Sequence, residues 1–291
     1  MEVKITGRGR PPRPQIEVVR VVTWYYAVRK ASKWSETKLE IYFDKLDRSS
    51  LGRHRGSRWN KYKAGITTPS RDLVAQVGRA FKGTLEVFDH PVWQLASSER
   101  LGTPDLRELV MALPRETAAQ FVRPGAMATS DFWVRNDLDH HAVAAQFLQS
   151  HREQAGTHLS VMAGLLALAH DAKARQLESQ HFAMHLAVAA VGAHAEQIAD
   201  EKFSAWLSWR LEALVLQRWL DTEYTEPRYR DAIGELRAIS SGPLVPWAPV
   251  QGSLKLGRGP NKKEAADLQN SRGYWVGQRV LAWQRENRLS A

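Results

Sequence analysis

The sequence predicts an all-α protein, and three observations carry this. Apolar residues recur at helical spacing, as in Leu39, Tyr42, Phe43 and Leu46, and again in Leu73, Val74, Val77 and Phe81. Two stretches rich in small residues, MAGLLALAH and HLAVAAVGAHA, permit helices to approach closely. No set of alternating strands and no internal repeat is visible.

Taken in chain order, residues 1–15 form a basic flexible arm, because GRGRPPRP can build neither a helix nor a sheet ladder. Residues 16–31 read as a helix with Ile16, Val19, Val22, Trp24, Tyr26 and Val28 on its apolar face, although the valine content leaves a strand open. Ser35 caps a second helix through Leu46. A polar, basic connection over 48–56 leads to a short helix at 58–63, stopped by Gly65. Pro69 and Ser70 open the next helix, which Gly83 closes. His90, Pro91, Val92 and Trp93 end this module, with Trp93 as its anchor.

Beyond it, Thr103 caps a helix ending at Pro114, and another runs to about residue 122. Further helices are expected over 131–152, 158–173, 177–195, 199–223 and 227–239. Phe203, Trp206, Leu207, Leu214, Trp219 and Leu220 supply large apolar surface for a bundle core. A Pro/Gly-rich linker and a basic tail, with one or two helices over 264–289, complete the chain. The 291 residues therefore divide into an arm (1–15), a first module (16–95), a helical bundle (100–240) and a linker with basic tail (241–291).

Composition bounds the function. With 43% hydrophobic and 25% charged residues, the chain is too apolar to be disordered. The absence of cysteine excludes disulfide scaffolds, thiolate metal sites and cysteine nucleophiles. The N-terminus lacks an apolar signal region, and the uncharged stretches 154–170 and 179–195 fall short of the ~18-residue guide for a membrane span. A soluble, cytoplasmic, nucleoid-associated protein without membrane contact is expected.

The net charge of +10 is unevenly placed: +10 over residues 1–95, −5 over 96–250 and +5 over 251–291. A basic first third has the electrostatics for a polyanion, and the middle does not. Phosphate neutralisation with counterion release is the usual use of such a region; a solubilising surface is the competing one.

The segment Lys61 to Ser70, KYKAGITTPS, followed by Leu73, Val77, Ala80 and Phe81, resembles the lambda-repressor/Cro-like (XRE-like) helix-turn-helix family over residues 35–83. That family often ends its reading helix in Trp-Glu-x-Gly, followed by Pro and an apolar helix. Tyr62 falls at the Trp position, Gly65 at the Gly and Pro69 at the Pro, while Ser35 and Leu39 match the signature of the scanning helix. Lys63 departs from the usual Glu, Glu40 from the usual Ala, and the stretch from Leu39 to Tyr62 is longer than in the family. The resemblance implies a fold with an N-terminal helix-turn-helix module ahead of the bundle and tail. It implies that Trp59 is the buried residue of the reading helix and that Ser57, Arg58, Asn60 and Lys61 face the major groove. Arg and Lys suit guanine O6 and N7, and Asn suits adenine N6 and N7. Arg53, Arg55, Lys63 and Arg71 would then grip phosphates. The competing reading is a structural helical turn with a solvated basic face.

Arg8-Gly9-Arg10-Pro11 resembles the AT-hook core, in which Arg8 and Arg10 would lie along a narrow minor groove and Gly9 would admit the backbone. A disordered basic tail adding non-specific affinity is the alternative.

Eight of the ten histidines lie between His140 and His194. His181 and His185 share a helix face, and Glu178 precedes His181 in Glu-x-x-His spacing, which fits half of a carboxylate-bridged metal site. A second such motif is missing, so buried or surface structural histidines are the better reading, and no metal or other cofactor is assigned. Asp137, Asp139, His140 and His141 are equally ambiguous. No phosphate loop, nucleophile elbow or His-Glu-x-x-His motif occurs. Most of the eleven tryptophans read as packing; Trp275 and Trp283, in the basic tail, suit stacking on bases or docking a partner.

The leading expectation is a non-enzymatic double-stranded DNA-binding protein, sequence-specific or AT-preferring, that regulates transcription in a prokaryote, phage or mobile element. Residues 100–240 would mediate homo-oligomerisation, sensing or docking of a protein partner. A second expectation is the nucleic-acid-binding subunit of a ribonucleoprotein or anti-phage defence assembly, with RNA as a possible ligand. A third is a metal-dependent helical enzyme using Glu178, His181 and His185.

Overall fold

Helix dominates the computed structural model, which describes residues 13–43, 58–98, 101–121, 158–193 and 221–241 together with Val143, Val215 and Trp219. Among the described residues, 74% are helical and no strand occurs. The strand option for 16–31 is thereby removed: α1 spans Gln15–Ser32. It begins at Pro14, whose carbonyl accepts from Glu17 and Val18, and ends where Lys33 adopts a left-handed conformation.

α1 is apolar on more than one side, and the packing explains why. Val19 and Val22 enter one core with Val92, Trp93, Leu95, Leu106 and Leu165. Val21, Trp24, Tyr25 and Val28 enter another, with Leu39, Trp59, Tyr62, Leu73, Val74, Val77 and Phe88. A helix sandwiched between two cores keeps little polar face, which is why β-branched residues recur on several sides of it. Tyr26, expected on its apolar face, is only half-buried, whereas its neighbour Tyr25 is buried.

The second core is closed by four short helices: α2 (Glu36–Phe43), α3 (Arg58–Lys63), α4 (Arg71–Ala80) and α5 (Thr84–Phe88). Ser35 caps α2 as expected, its Oγ accepting from the Lys38 N–H at 3.2 Å. Ser70 likewise caps α4, accepting from the Leu73 N–H at 3.3 Å. α4 is amphipathic, with Leu73, Val74 and Val77 buried. Its end differs from expectation. The helix stops at Ala80 with Phe81 as cap, and Gly83, at φ 88°, leads into α5 instead of closing α4.

α6 (Val92–Ser97) connects the two regions, and Trp93 anchors it by donating its indole N–H to the Val87 carbonyl at 2.8 Å. α7 (Thr103–Met111) starts one residue earlier than expected: Gly102 is the cap, and Thr103 is the first helical residue. The helix expected to reach 122 is the single turn α8 (Arg115–Ala118), followed by turns to Phe121. α9 (His158–Ala174) is the central helix of the first core, buried without interruption from Val161 to Ala169. Its small residues let α6, α7, α8 and α10 (Glu178–Ala193) pack around it. α11 (Pro227–Ser241) packs on α10. Val143, Val215 and Trp219 are helical and buried. The rest of the helices expected over 131–152 and 199–223, the arm, and the linker and tail lie outside the described residues. No helix among the described residues is long and apolar enough to cross a membrane.

Candidate nucleic-acid interface

Six residues, Arg-Trp-Asn-Lys-Tyr-Lys, form α3, and their alternation decides which side faces inward. Trp59 is fully buried and Tyr62 nearly so, while Arg58, Asn60 and Lys61 are exposed. Trp59 stacks on Trp24 of α1 with centroids 5.7 Å apart and planes 17° apart. Tyr62 meets the edges of both indoles. Ring stacking of this kind adds to area burial and fixes helix rotation. The outcome is a short helix held by two aromatics from behind, presenting two cations and one amide in front.

The turn after α3 is built by Gly65. Its φ of 65° is one that glycine adopts without cost, and a Cβ there would stand 2.5 Å from Val18 Cγ1 of α1. Arg13, at the foot of the basic arm, spans this turn. It donates to the Gly65 carbonyl at 2.7 Å and to Thr68 Oγ1 at 2.6 Å. Arg13 was not singled out by the sequence reading; its place within GRGRPPRP made it look like one more arm cation.

Lys63 turns sideways from α3. It is half-buried and lies 3.3 Å from Glu36 Oε1. Glu36 also accepts from the Tyr25 hydroxyl at 2.5 Å and pairs with Arg29 at 3.2 Å. Partial burial pushes the Glu36 carboxyl up, but the Tyr25 hydrogen bond, with help from the backbone, Arg29 and Lys63, outweighs it and holds the group at about 2. Burial, followed by the hydrogen bond and charge of Glu36, pushes the Tyr25 phenol up. One carboxylate thus ties α1, α2 and α3 together. Nothing in the sequence signals the pair, because its partners are 27 residues apart.

Arg71, at the start of α4, is exposed and pairs with Asp89. Its guanidinium lies 5.6 Å from the Phe88 ring centroid, and Arg20 covers the same ring at 4.1 Å. These residues rim a cleft of about 500 Å³ between α1, α5, α6 and α7. Of the residues proposed for groove or phosphate contact, the structure therefore brings Arg58, Asn60 and Lys61 to one exposed helix, and it engages Lys63 and Arg71 with carboxylates. Arg8, Arg10, Arg53, Arg55 and Ser57 lie outside the described residues.

The histidine pair lies on α10, apart from α3. His181 Nδ1 is 2.9 Å from the Tyr224 hydroxyl, which accepts from the Trp219 indole at 2.8 Å. His185 Nε2 is 3.2 Å from His181 Nε2, and its ring stacks on Trp219. Glu178 points elsewhere. It accepts from the Thr225 N–H and hydroxyl, both at 2.7 Å, and from the Glu226 N–H at 2.9 Å, just ahead of α11. Those bonds, first the Thr225 hydroxyl, lower its pKa. The void beside the pair measures about 30 Å³, room for a water molecule. Among the described residues, no group of three or more His, Asp or Glu is placed to hold a metal ion.

No protein-family model, curated protein or solved structure matches this chain.

Proposed function

We propose that this chain binds double-stranded DNA through α3 and acts as a transcriptional regulator of a prokaryote, phage or mobile element. One observation carries the reading: α3 buries Trp59 and Tyr62 and exposes Arg58, Asn60 and Lys61. That is the division of labour a groove-reading helix needs, with an apolar back fixed to the scaffold and polar side chains on the exposed side to meet base edges. The +10 charge of residues 1–95 supports it by supplying the long-range attraction. The Arg13 clamp supports it further, because the foot of the arm sits at the turn that follows α3. Arg58, Asn60 and Lys61 read bases, Arg8 and Arg10 of the arm occupy the minor groove, and Arg53, Arg55, Lys63 and Arg71 meet phosphates, the last two by exchanging their carboxylate partners for DNA. The helices beyond residue 100 dimerise the protein or dock its partner.

The test is fluorescence anisotropy on random duplex, AT-rich duplex and structured RNA, titrated with salt. Duplex binding should be steeply salt-dependent and should weaken in Arg58→Ala by about 1–3 kcal/mol. Loss of residues 1–12 should weaken it most on the AT-rich duplex. Duplex binding indifferent to Arg58→Ala sinks the groove-reading role of α3, and tighter binding to RNA than to either duplex sinks the DNA assignment.

A further inference from the structure

Ile66 follows Gly65 in the turn that ends α3. The Ile66 N–H bonds to the Lys61 carbonyl at 2.8 Å, and the Gly65 N–H to the Tyr62 carbonyl at 3.0 Å. With Gly65 left-handed, this pair of bonds is a Schellman ending. In that motif the residue after the glycine usually packs its apolar side chain back onto the last turn of its own helix. The positions that would receive it here are Asn60 and Lys61, both polar and exposed. Ile66 is instead 66% exposed, the largest exposure of any large apolar side chain among the described residues.

Single apolar residues are ordinary on protein surfaces. This one is distinguished by how it is held. The glycine before it is seated on Val18 of α1, and Arg13 grips residues 65 and 68 on either side of it. The side chain is therefore displayed on a fixed turn that carries the Arg13 guanidinium, bonded to residues 65 and 68, and that follows the exposed Lys61 of α3. An apolar tip on a turn that carries cationic residues complements a surface that is apolar at one point and anionic around it. The DNA major groove is such a surface wherever a thymine C5 methyl projects between the phosphate strands.

We infer that Ile66 is a specificity-determining residue that selects thymine by packing on its C5 methyl group. The inference rests on the reading of α3 as a major-groove element. The fixed turn reduces the ordering that the contact would otherwise require.

The experiment compares an AT-rich duplex with the same duplex carrying deoxyuridine in place of every thymidine, a change that deletes only the methyl groups. The full chain, Ile66→Ala and Arg58→Ala are titrated against both by anisotropy. The wild-type chain should prefer the thymidine duplex by about fourfold for each methyl contacted, the scale of burying one methyl-sized group. Ile66→Ala should bind the two duplexes equally, with the salt dependence of wild type. Ile66→Val should keep part of the preference. An equal preference in wild type and Ile66→Ala, or none in wild type, overturns the inference, and does so alone where Arg58→Ala still weakens duplex binding. A wild-type chain that binds neither duplex overturns both this inference and the reading on which it rests.

Discussion

The indoles of Trp24 and Trp59 lie face to face, 5.7 Å between centroids, and join the exposed helix α3 to the buried helix α1. Both indole N–H groups are buried without a hydrogen-bond partner. The pair therefore combines a large apolar contribution with two unsatisfied donors. Trp59→Ala should destabilise the protein by about 3–5 kcal/mol, because the cavity stands at the centre of the core. Trp59→Phe should cost clearly less, since it keeps a stacked ring and removes an unsatisfied donor that itself costs about 1–3 kcal/mol. Denaturant midpoints of the two variants check this, and equal losses would show that a phenyl ring in place of the indole restores neither the stacking nor the lost stability.

Gly65 is the position where backbone and packing demand the same residue. Its left-handed φ disfavours any Cβ, and the Cβ would meet Val18 at 2.5 Å. Gly65→Ala should lose about 1–2 kcal/mol from backbone strain and more from displacing α3 relative to α1. Gly83→Ala, also at positive φ but with nothing within 4 Å of the added carbon, isolates the backbone part. Thermal unfolding of both should rank Gly65→Ala as the more damaging, and the reverse order would remove the α1 contact from the account.

The contrast between those glycines shows where sequence reasoning reaches. Local signals were legible: Ser35 and Ser70 as caps, Pro69 before α4, and the long small-residue helices. Each is decided within a few residues by hydrogen bonding or periodicity. What escaped was long-range. Whether Gly65 is a stop signal or a contact point depends on Val18, 47 positions earlier in the chain. Local sequence cannot pair Lys63 with Glu36, or Glu178 with Thr225 and Glu226, because each partner is distant in the chain. α1 kept a strand option because a helix buried between two cores loses the periodic polar face that identifies it.

Glu36 makes stability depend on acid. Its carboxyl titrates at about 2 when folded and near 4.5 when unfolded, so the unfolded chain takes up the proton first. The contribution is complete above pH 4.5 and is lost as pH falls toward 2. For a half-exposed pair screened by water it is on the order of 1 kcal/mol. Glu36→Gln should flatten this part of the stability profile. The same change frees Lys63 from its counter-charge, so duplex binding should tighten at low salt and the salt slope should steepen by up to about 0.9. Weaker duplex binding in Glu36→Gln would mean that the pair positions α3 and that Lys63 contributes no phosphate contact.

His181 has the same sign in a higher pH window. Burial, then the nearby charges of Lys173 and His170, push it from 6.5 down to about 4, against a smaller upward pull from Glu178. The folded protein keeps the ring neutral, while the unfolded chain protonates it below pH 6.5. Stability should therefore fall as pH drops from 6.5 toward 4. His90, half-buried and also pushed down to about 4 by desolvation, adds to the same slope. His181→Gln should reduce the slope without abolishing it, and urea midpoints at pH ~7 and ~5 measure the difference. Tyr224→Phe attacks the same network from its other end. It leaves the Trp219 indole N–H and His181 Nδ1 without the hydroxyl they share, at a cost of about 2–4 kcal/mol near neutral pH. A Tyr224→Phe protein as stable as wild type, or a His181→Gln protein with an unchanged slope, would show that the hydroxyl relay does not hold α10 against the segment before α11.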